Sequence, residues 1–291
     1  MLVRALLILT MIVILLACSQ EASTTRSDKL IEGKVALRIG VLPDQGEKAM
    51  RARYSGLFEY IKKNTGYDYN FVIPASYKDL LDRFIRNEVD MALFGGVTFI
   101  KASEKSGAIP LVLRDVDEQF TSVIVVKPDS TASSIEDLKG ERFLFGSWLS
   151  TSGHLMPRYF MRNKNINPEE YFKETNYSGA HDKTVLSIRD GFFDAGVANS
   201  KVVAEMFRDG RIKEEEIKVL WTSPPYTDYV WAVQKTISPE IRKKLIHAFT
   251  NLTLEEADTK EILNAVGANY YLRAKKEGFQ ELENIMREMN I

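Results

Sequence analysis

Three hydroxyl residues stand in a row at Ser150, Thr151 and Ser152, followed by Gly153 and a helix-forming run. The first N–H groups of a helix have no partner within the helix, and they lie at the positive end of its dipole. Hydroxyls and free amides at one helix start can therefore hold an anion with several oxygens. The same residues also suit a simple helix cap, in which one hydroxyl bonds the backbone and the others face water.

Four other segments offer side chains or close backbone approach to a ligand, and they contain Tyr77, Phe94 with Gly95, His181, and Asp228. Tyr77 and His181 lie at predicted helix starts, and the glycines after Phe94 let backbone approach a ligand closely. An imidazole can donate a hydrogen bond to an anion, and when protonated it also adds charge. The structural alternatives are that Tyr77 only packs in the core and that the glycines form a tight turn. In the same way, His181 would cap its helix and Asp228 would lie in a hinge loop. Because the strand-to-helix position recurs, we expect these segments to line one site.

Metal and nucleotide motifs are absent from the sequence. The single cysteine and the three histidines, His154, His181 and His247, are too widely spaced for a recognisable metal site. Ser152 lies in Ser-Gly-His and not in a G-x-S-x-G nucleophile elbow. An esterase that uses Ser150 or Ser152 with His181 is an alternative, but no pattern selects the acid of a triad. We expect a protein without cofactor or enzymatic activity.

Strand-like and helix-like runs alternate along the chain, which indicates an α/β fold with helices on the sheet faces. Leu80, Leu81, Phe84 and Ile85, for example, share one face of a predicted helix. The predicted strands are VALRIGVLPD, NFVIPA, MALFGG and PLVLRDV in the first part, and ERFLFG, DAGVANS and IKVLWTSPPY in the middle part. The segment 257–291 is predicted to be mostly helical.

Two β-rich runs, FTSVIVVKPDS and DYVWAVQ, break the alternation and are interpreted as crossings between two lobes. Residues 34–120 and 226–291 are predicted to form one lobe, and residues 121–225 the other. A cleft between two α/β lobes is a favoured place for a ligand.

The N-terminus has the pattern of a secretory signal over residues 1–17, with Arg4 before an apolar run that is shorter than the ~20 residues of a membrane span. Ala17 and Cys18 resemble a bacterial lipobox, in which the cysteine is lipidated and becomes the mature N-terminus. An uncleaved anchor and a plain signal are the alternatives. Residues 18–33 are predicted to be a lipid-anchored tether, which places the protein in the cell envelope, on the periplasmic or extracytoplasmic face.

Charge is balanced, with 39 Lys and Arg against 40 Asp and Glu and a formal net charge of -1. No global basic field is available to attract nucleic acid. Any bound anion must therefore be held by local geometry, and we expect a monomer.

The order of these segments resembles the substrate-binding proteins of phosphonate/phosphite-type ABC transporters, a group with the type II periplasmic binding protein fold. The resemblance covers roughly residues 35–249, and its most specific part is STSGHLMP. Other matching segments are RIGVLP, YKDLLDRFIRNEVDMALFGG and HDKTVLSIRDGFFDAGVANS. The resemblance implies a two-lobed α/β protein with two crossing strands and an interlobe cleft.

The resemblance also implies a set of ligand-binding residues, in which the hydroxyl run grips a phosphorus oxyanion together with the helix amides. That set is Tyr77, Phe94, Gly95, Ser150, Thr151, Ser152, His181, Asn199 and Asp228. Phe94 stands where the family usually has a tyrosine, so one phenolic donor is missing. Lys201 stands where binders of aminoalkylphosphonates have an acid, which argues against such a ligand.

The function implied by the resemblance is capture of a small oxyanion (phosphonate, phosphite or phosphate) and its delivery to an ABC permease. The alternative is a sensing module of the same fold that partners a membrane receptor kinase. Neighbouring permease genes would favour transport, and a neighbouring histidine kinase gene would favour sensing.

Overall fold

The structure is a computed structural model that describes residues 25–33 and 35–291. The predicted signal, Cys18 and the first part of the tether lie outside the described residues. Eleven α-helices are described: α1 Arg26–Ile31, α2 Glu47–Thr65, α3 Tyr77–Ile85, α4 Gly96–Ser106, α5 Met156–Asn163, α6 Pro168–Tyr171, α7 His181–Arg189, α8 Ser200–Arg208, α9 Pro239–Thr250, α10 Ala257–Val266 and α11 Gln280–Glu288. Four short helices of other types complete them, namely the 3-10 turns Asp115–Gln119, Glu136–Leu138 and Lys276–Phe279 and the π-helix Thr151–Leu155.

The strands form two separate sheets. They are β1 Leu37–Val41, β2 Tyr69–Val72, β3 Met91–Phe94, β4 Ile109–Arg114, β5 Ser122–Val126, β6 Arg142–Phe145, β7 Glu174–Tyr177, β8 Ala195–Asn199, β9 Lys218–Thr222, β10 Val230–Val233 and β11 Tyr271–Arg273. The six-stranded sheet has the order β11-β4-β10-β3-β1-β2, and the five-stranded sheet has the order β7-β6-β8-β5-β9. We call the halves built on these sheets lobe 1 and lobe 2.

The strand directions in lobe 1 give its sheet two different edges. β1, β2 and β3 are parallel, and β10 is antiparallel to both β3 and β4, so β4 runs the same way as β1 and β3. The carboxyl ends of these four strands therefore meet at one edge, which faces lobe 2. Their amino ends form the opposite edge, which we call the distal edge.

The chain passes between the lobes beside the bridge that joins Phe120 and Tyr226, whose backbones exchange hydrogen bonds of 2.8 and 3.0 Å. Beyond this bridge β5 enters lobe 2 and β10 returns to lobe 1. Lobe 1 has one large apolar core, and lobe 2 has a core on each face of its sheet. Helices cover both faces of each sheet, so the central strands β3, β10, β5 and β8 are buried on both sides.

Several elements differ from the sequence-based expectation. Arg26–Ile31 form a helix within the predicted tether, and Arg26 and Arg38 both bond the buried carboxylate of Asp90. β7 and α6 have no counterpart in the prediction, and β11 lies in the segment predicted to be mostly helical. Among the described residues, no helix is both long enough and apolar enough to cross a membrane.

Candidate functional site

The hydroxyl run begins with a turn of π-helix and not with an ordinary α-helical turn. Leu155 N–H donates to the Ser150 carbonyl at 3.1 Å, and Gly153 N–H donates to Ser150 Oγ at 2.9 Å. Pro157 has no N–H for the carbonyls one turn before it, and the Gly153 carbonyl instead accepts from Gly146 N–H at 2.8 Å. Ser150 is therefore the capping hydroxyl of the three.

The other two hydroxyls are buried and directed away from the cap. Thr151 Oγ1 accepts from Val97 N–H in α4 at 3.1 Å, a contact that joins the two lobes. Ser152 is 1% exposed, and within the described residues its Oγ makes no hydrogen bond of normal geometry, although it lies beside the Asp228 carboxyl and the Tyr226 hydroxyl. A buried hydroxyl without a well-formed hydrogen bond is costly, so the Ser152 hydroxyl can turn to a ligand at little cost.

Asp228 lies at the start of helix α4, although it belongs to the crossing before β10. Its Oδ1 accepts from Gly96 N–H at 2.9 Å, and its own N–H donates to the Asp117 carbonyl at 2.9 Å. Burial raises the pKa of Asp228 to about 7, and the Gly96 N–H and the Thr151 and Ser152 hydroxyls only partly oppose that rise. At neutral pH this carboxyl is therefore protonated in roughly half of the molecules.

The glycine pair before α4 leaves the room that these contacts need. A Cβ on Gly95 would lie 3.2 Å from Asp228 Oδ1 and 3.4 Å from Thr151 Oγ1. Gly95 is the N-cap of α4 and makes no side-chain cap bond. Asp228 and Thr151 supply that cap from outside the helix, so the amino end of α4 opens onto the hydroxyl run.

His181 and Tyr77 approach each other across the lobes, with Tyr77 Oη 3.3 Å from His181 Nε2. His181 Nδ1 accepts from Asn199 N–H at 3.2 Å, so the neutral ring carries its proton on Nε2. Burial lowers the pKa of His181 to about 3. In this arrangement the His181 ring is therefore neutral at physiological pH, in contrast to the charged form that the sequence left open.

Asn199 caps α8 and also continues the contacts across the cleft. Its Oδ1 accepts from the Val202 N–H at 3.1 Å, and its Nδ2 donates to Tyr229 Oη at 3.0 Å. Tyr229 Oη donates in turn to Asp44 Oδ2 at 3.3 Å. Burial raises the pKa of Asp44, and its other oxygen, Oδ1, has no partner among the described residues.

Asp44 and Tyr229 were not among the predicted site residues. Asp44 lies in the loop just after β1, which ends at Val41, and its carbonyl accepts from His181 N–H at 3.0 Å. Tyr229 is the sequence neighbour of Asp228. Applying the strand-end criterion to every strand would have selected Asp44.

An ion pair supports the crossing beneath the site. Arg114 at the end of β4 holds Asp117 through two bonds, Nη2 to Oδ1 at 2.7 Å and Nε to Oδ2 at 3.0 Å. The guanidinium also lies 5.5 Å from the ring centroid of Tyr229. Both charged side chains are buried, so this pair fixes the segment that carries Asp228 and Tyr229.

Two residues that depart from the family pattern lie outside this polar network. The Phe94 ring is fully buried and packs edge-on against Phe84, with centroids 5.1 Å apart. Lys201 is exposed in the first turn of α8, and its N–H donates to Asn199 Oδ1 at 2.8 Å. Neither side chain contributes a hydrogen-bonding group to the contacts described above.

The lobes are in contact at the rim of the cleft as well as inside it. Gly46 N–H donates to Asp182 Oδ2 at 2.9 Å, and Gln45 Nε2 donates to Glu205 Oε2 at 3.1 Å. Arg53 forms an ion pair with the same glutamate. These contacts describe a closed arrangement in which the buried hydroxyls are shielded from solvent.

The network is unsuited to the esterase alternative. A triad histidine must accept a proton at the nitrogen facing the serine while its other nitrogen donates to an acid. In His181 the Nδ1 lone pair is occupied by Asn199 N–H, which places the proton on Nε2. Among the described residues, no group of three or more His, Cys, Asp or Glu could hold a metal ion.

Comparison with known proteins places this geometry in a family. The chain matches the family model for periplasmic substrate-binding proteins of phosphonate ABC transporters over residues 39–279. It is 27% identical over 276 residues to the probable ABC transporter phosphite-binding protein PhnD1 of Prochlorococcus marinus, covering 91% of this chain and 93% of that protein. It is 25% identical over 245 residues to the phosphonates-binding periplasmic protein of Escherichia coli, covering 81% and 71%.

Solved structures agree with this assignment. PhnD1 of Prochlorococcus marinus in complex with methylphosphonate has a TM-score of 0.83 and 28% identity, covering 88% of this chain and 98% of that one. A binding protein component of an ABC phosphonate transporter from Pseudomonas aeruginosa has a TM-score of 0.81 at 19% identity, covering 88% and 86%, and supports the fold alone. The predicted two-lobed type II periplasmic binding protein fold is confirmed. The chain belongs to the periplasmic substrate-binding proteins of phosphonate ABC transporters.

Proposed function

We propose that this chain captures a small phosphorus oxyanion in the cleft between its lobes and delivers it to an ABC permease. The observation that supports this most directly is the Ser152 hydroxyl that can turn to a ligand, buried beside Thr151 at a helix start. An oxyanion there accepts from both hydroxyls and from the free amides of the first turn. Relatives named for phosphite and phosphonates, and a similar structure with bound methylphosphonate, favour phosphorus chemistry.

The remaining donors are neutral, and they come from both lobes. Tyr77 Oη and His181 Nε2, 3.3 Å apart, can both donate to an anion bound beside the pair, the tyrosine by rotating its hydroxyl and the imidazole through its fixed Nε2–H. Hydrogen bonds to a charged partner are about twice as strong as neutral ones. Closure of the lobes is therefore favoured when the anion is present, since it completes the set of donors.

Asp228 is the group that distinguishes one oxyanion from another. One of its oxygens accepts from Gly96 N–H. When the Thr151 and Ser152 hydroxyls beside this carboxyl turn to an anion, Asp228 can accept a hydrogen bond from the ligand instead. A phosphite, phosphate or methylphosphonate that keeps one proton can donate its P–OH to this carboxylate. Sulfate has no proton to donate at neutral pH, so it can bond this group only when Asp228 itself carries the proton, a form that becomes scarce as the pH rises above its pKa of about 7. We therefore expect protonated phosphorus oxyanions to bind and sulfate to bind more weakly, most clearly above pH 7.

Calorimetric titration with phosphite, phosphate, methylphosphonate and sulfate tests this function. Each hydroxyl that bonds a buried charge contributes about 1.5–3 kcal/mol, so Ser152→Ala should weaken binding by roughly 10-fold or more. Thr151→Ala combined with Ser152→Ala should weaken it further. Ser106→Ala, which removes a hydroxyl from the far end of α4, is the matched control and should bind like the wild type. Unaltered affinity in the double variant, or binding of sulfate as tight as that of phosphite, would refute the proposed site.

We also propose that Cys18 carries the lipid that attaches the protein to the membrane, as the lipobox-like sequence before it indicates. The mass of the mature protein from cells would include the lipid on a chain that begins at Cys18. Cys18→Ala should abolish both the added mass and the cleavage. A mature chain without added mass would overturn this part of the proposal and leave the cleft function untouched.

A further inference from the structure

A large groove of about 1210 Å³ lies at the distal edge of lobe 1, at the opposite end of the strands from the cleft. Its floor includes Ile109, Pro110 and Leu111, which form the amino-terminal half of β4. One wall is helix α9, and the other is the segment that leaves β11 at Arg273 and continues through Lys276. Nothing in the cleft network uses this groove.

The rim of the groove carries a surplus of positive charge, with six cationic side chains against two acidic ones. The cations are Arg242, Lys243, Lys244, Arg273, Lys275 and Lys276. Lys244 pairs with Glu240 at 3.5 Å. The other five make no ion pair within residues 25–33 and 35–291, in a chain whose formal net charge is -1.

Arg242 adds a more specific observation. It is half-buried between the apolar floor and the rim, and its Nε is buried without a hydrogen-bond acceptor in the described part of the chain. A guanidinium in such a position matches an oxygen-rich anion such as a phosphate. An anionic phospholipid has a charged head group above apolar acyl chains. The groove offers the complementary arrangement, with unpaired cations above an apolar floor.

The amino-terminal helix connects this groove to the membrane. Ser27 in α1 donates to the Thr236 carbonyl at 2.6 Å and accepts from Ser238 N–H at 3.0 Å, directly before the first residues of α9. Pro239 and Glu240 at the start of α9 already line the groove. The roughly seven residues from Cys18 to Thr25 span at most about 25 Å when extended. A lipid on Cys18 would therefore hold this edge of lobe 1 close to the bilayer.

From these observations we propose that the groove is a docking surface for anionic phospholipid, against which lobe 1 rests. The orientation of this surface relies on the lipid at Cys18 proposed above, whereas the chemistry of the groove does not. Each cation near an anionic bilayer strengthens binding by about fivefold. A lipid anchor combined with such a surface fixes orientation as well as attachment.

Sedimentation with vesicles tests the surface separately from the anchor. The probe is the lipid-free mature chain from residue 19, which contains every described helix, strand and core residue. At about 0.1 M salt it should bind vesicles containing phosphatidylglycerol and not vesicles of pure phosphatidylcholine. Binding should disappear at about 1 M salt, where the Debye length falls to about 3 Å.

Charge reversal locates the surface. Lys243→Glu, Arg273→Glu and Lys275→Glu together should reduce binding to anionic vesicles by about a hundredfold or more, at fivefold for each cation. The matched control reverses three exposed cations of lobe 2 and has the same net charge: Lys139→Glu, Lys173→Glu and Arg208→Glu. That control should retain most of the binding.

Equal loss in the two triple variants, or equal binding to both kinds of vesicle, would overturn the assignment. Binding to neither vesicle would overturn it too. Oxyanion titration of the same preparations reports on the cleft, so failure of the transport function is distinguishable from failure of the docking surface.

Discussion

The buried carboxyl of Asp228 makes the ligand-free protein less stable as the pH rises. In the folded chain this group binds its proton more tightly than in the unfolded chain, because burial raises its pKa from 3.8 to about 7. The extra stability is complete below pH 4, and it is lost as the pH rises through 7. Replacing the acid with its neutral isostere, Asp228→Asn, should remove this dependence while keeping an oxygen for Gly96 N–H.

The size of the effect follows from the two pKa values. A tenfold change in the protonation equilibrium corresponds to about 1.4 kcal/mol, so the charge on Asp228 costs up to about 4 kcal/mol above pH 7. For a chain of this size each kcal/mol moves the melting temperature by about 2–4 °C. Asp228→Asn should therefore melt about 10 °C higher than the wild type at pH 8 and at nearly the same temperature at pH 4.

Thermal unfolding of ligand-free protein between pH 4 and pH 8.5 measures this difference. Asp129→Asn, at an exposed turn after β5, is the control and should follow the wild type at every pH. The same Asp228 variant should bind phosphite more weakly, because an amide cannot accept the ligand proton as strongly as a carboxylate. A difference in melting temperature that does not change with pH, or a less stable variant at pH 8, would refute the reasoning.

Three other substitutions or measurements test single contacts. Gly153→Ala places a Cβ 2.9 Å from a ring carbon of His181 and should cost about 1–3 kcal/mol of unfolding free energy. Gly278→Ala, with open space around it, should cost little, and equal effects would contradict the packing. Asp117→Asn leaves the charge of the buried Arg114 without a partner and should lower the free energy of unfolding by about 3–5 kcal/mol, measured with denaturant. A loss below about 1 kcal/mol would contradict the role of this ion pair. The His181 imidazole should remain neutral and protonated on Nε2 from pH 5 to 8 by ¹⁵N NMR, because burial lowers its pKa to about 3, and titration near pH 6.5 would show otherwise.

Elements with a regular apolar pattern could be predicted from the sequence. Helix α3 is an example, because Leu80, Leu81 and Phe84 recur at helical spacing and are buried together. β11 could not be predicted, because its short sequence forms a strand only by pairing with β4. Tyr271 pairs with Arg114, and a contact between residues so far apart in the chain is revealed by no local pattern.

Helix α1 could not be predicted for a different physical reason. Its sequence is mostly polar, so composition indicated a tether. The helix is held by a capping box at Thr25 and by the ion pair between Arg26 and the buried Asp90, with Leu30 as its buried apolar residue. Such an attachment depends on a carboxylate that is distant in the chain, which the local sequence does not show.

The site could be predicted in its positions but not in its electrostatics. The hydroxyl run and His181 were selected because strand ends and helix starts gather at one edge of a sheet, and Asp228 was selected because it lies beside aromatic residues at the second crossing. The availability of the Ser152 hydroxyl and the neutral state of His181 depend on burial and on the backbone of Asn199. Those are consequences of lobe closure, and they are decided only when both lobes are in place.

The attachment of α1 gives the two lobes unequal roles in any motion. Its hydrogen bonds go to Asp90, Ala36, Thr236 and Ser238, all of which belong to lobe 1. Relative to the amino terminus, lobe 1 is thus the stationary frame, and opening or closing is a swing of lobe 2. A partner that touched lobe 1 alone would meet the same surface in both states. Any receptor that recognises the loaded protein must therefore sense the position of lobe 2.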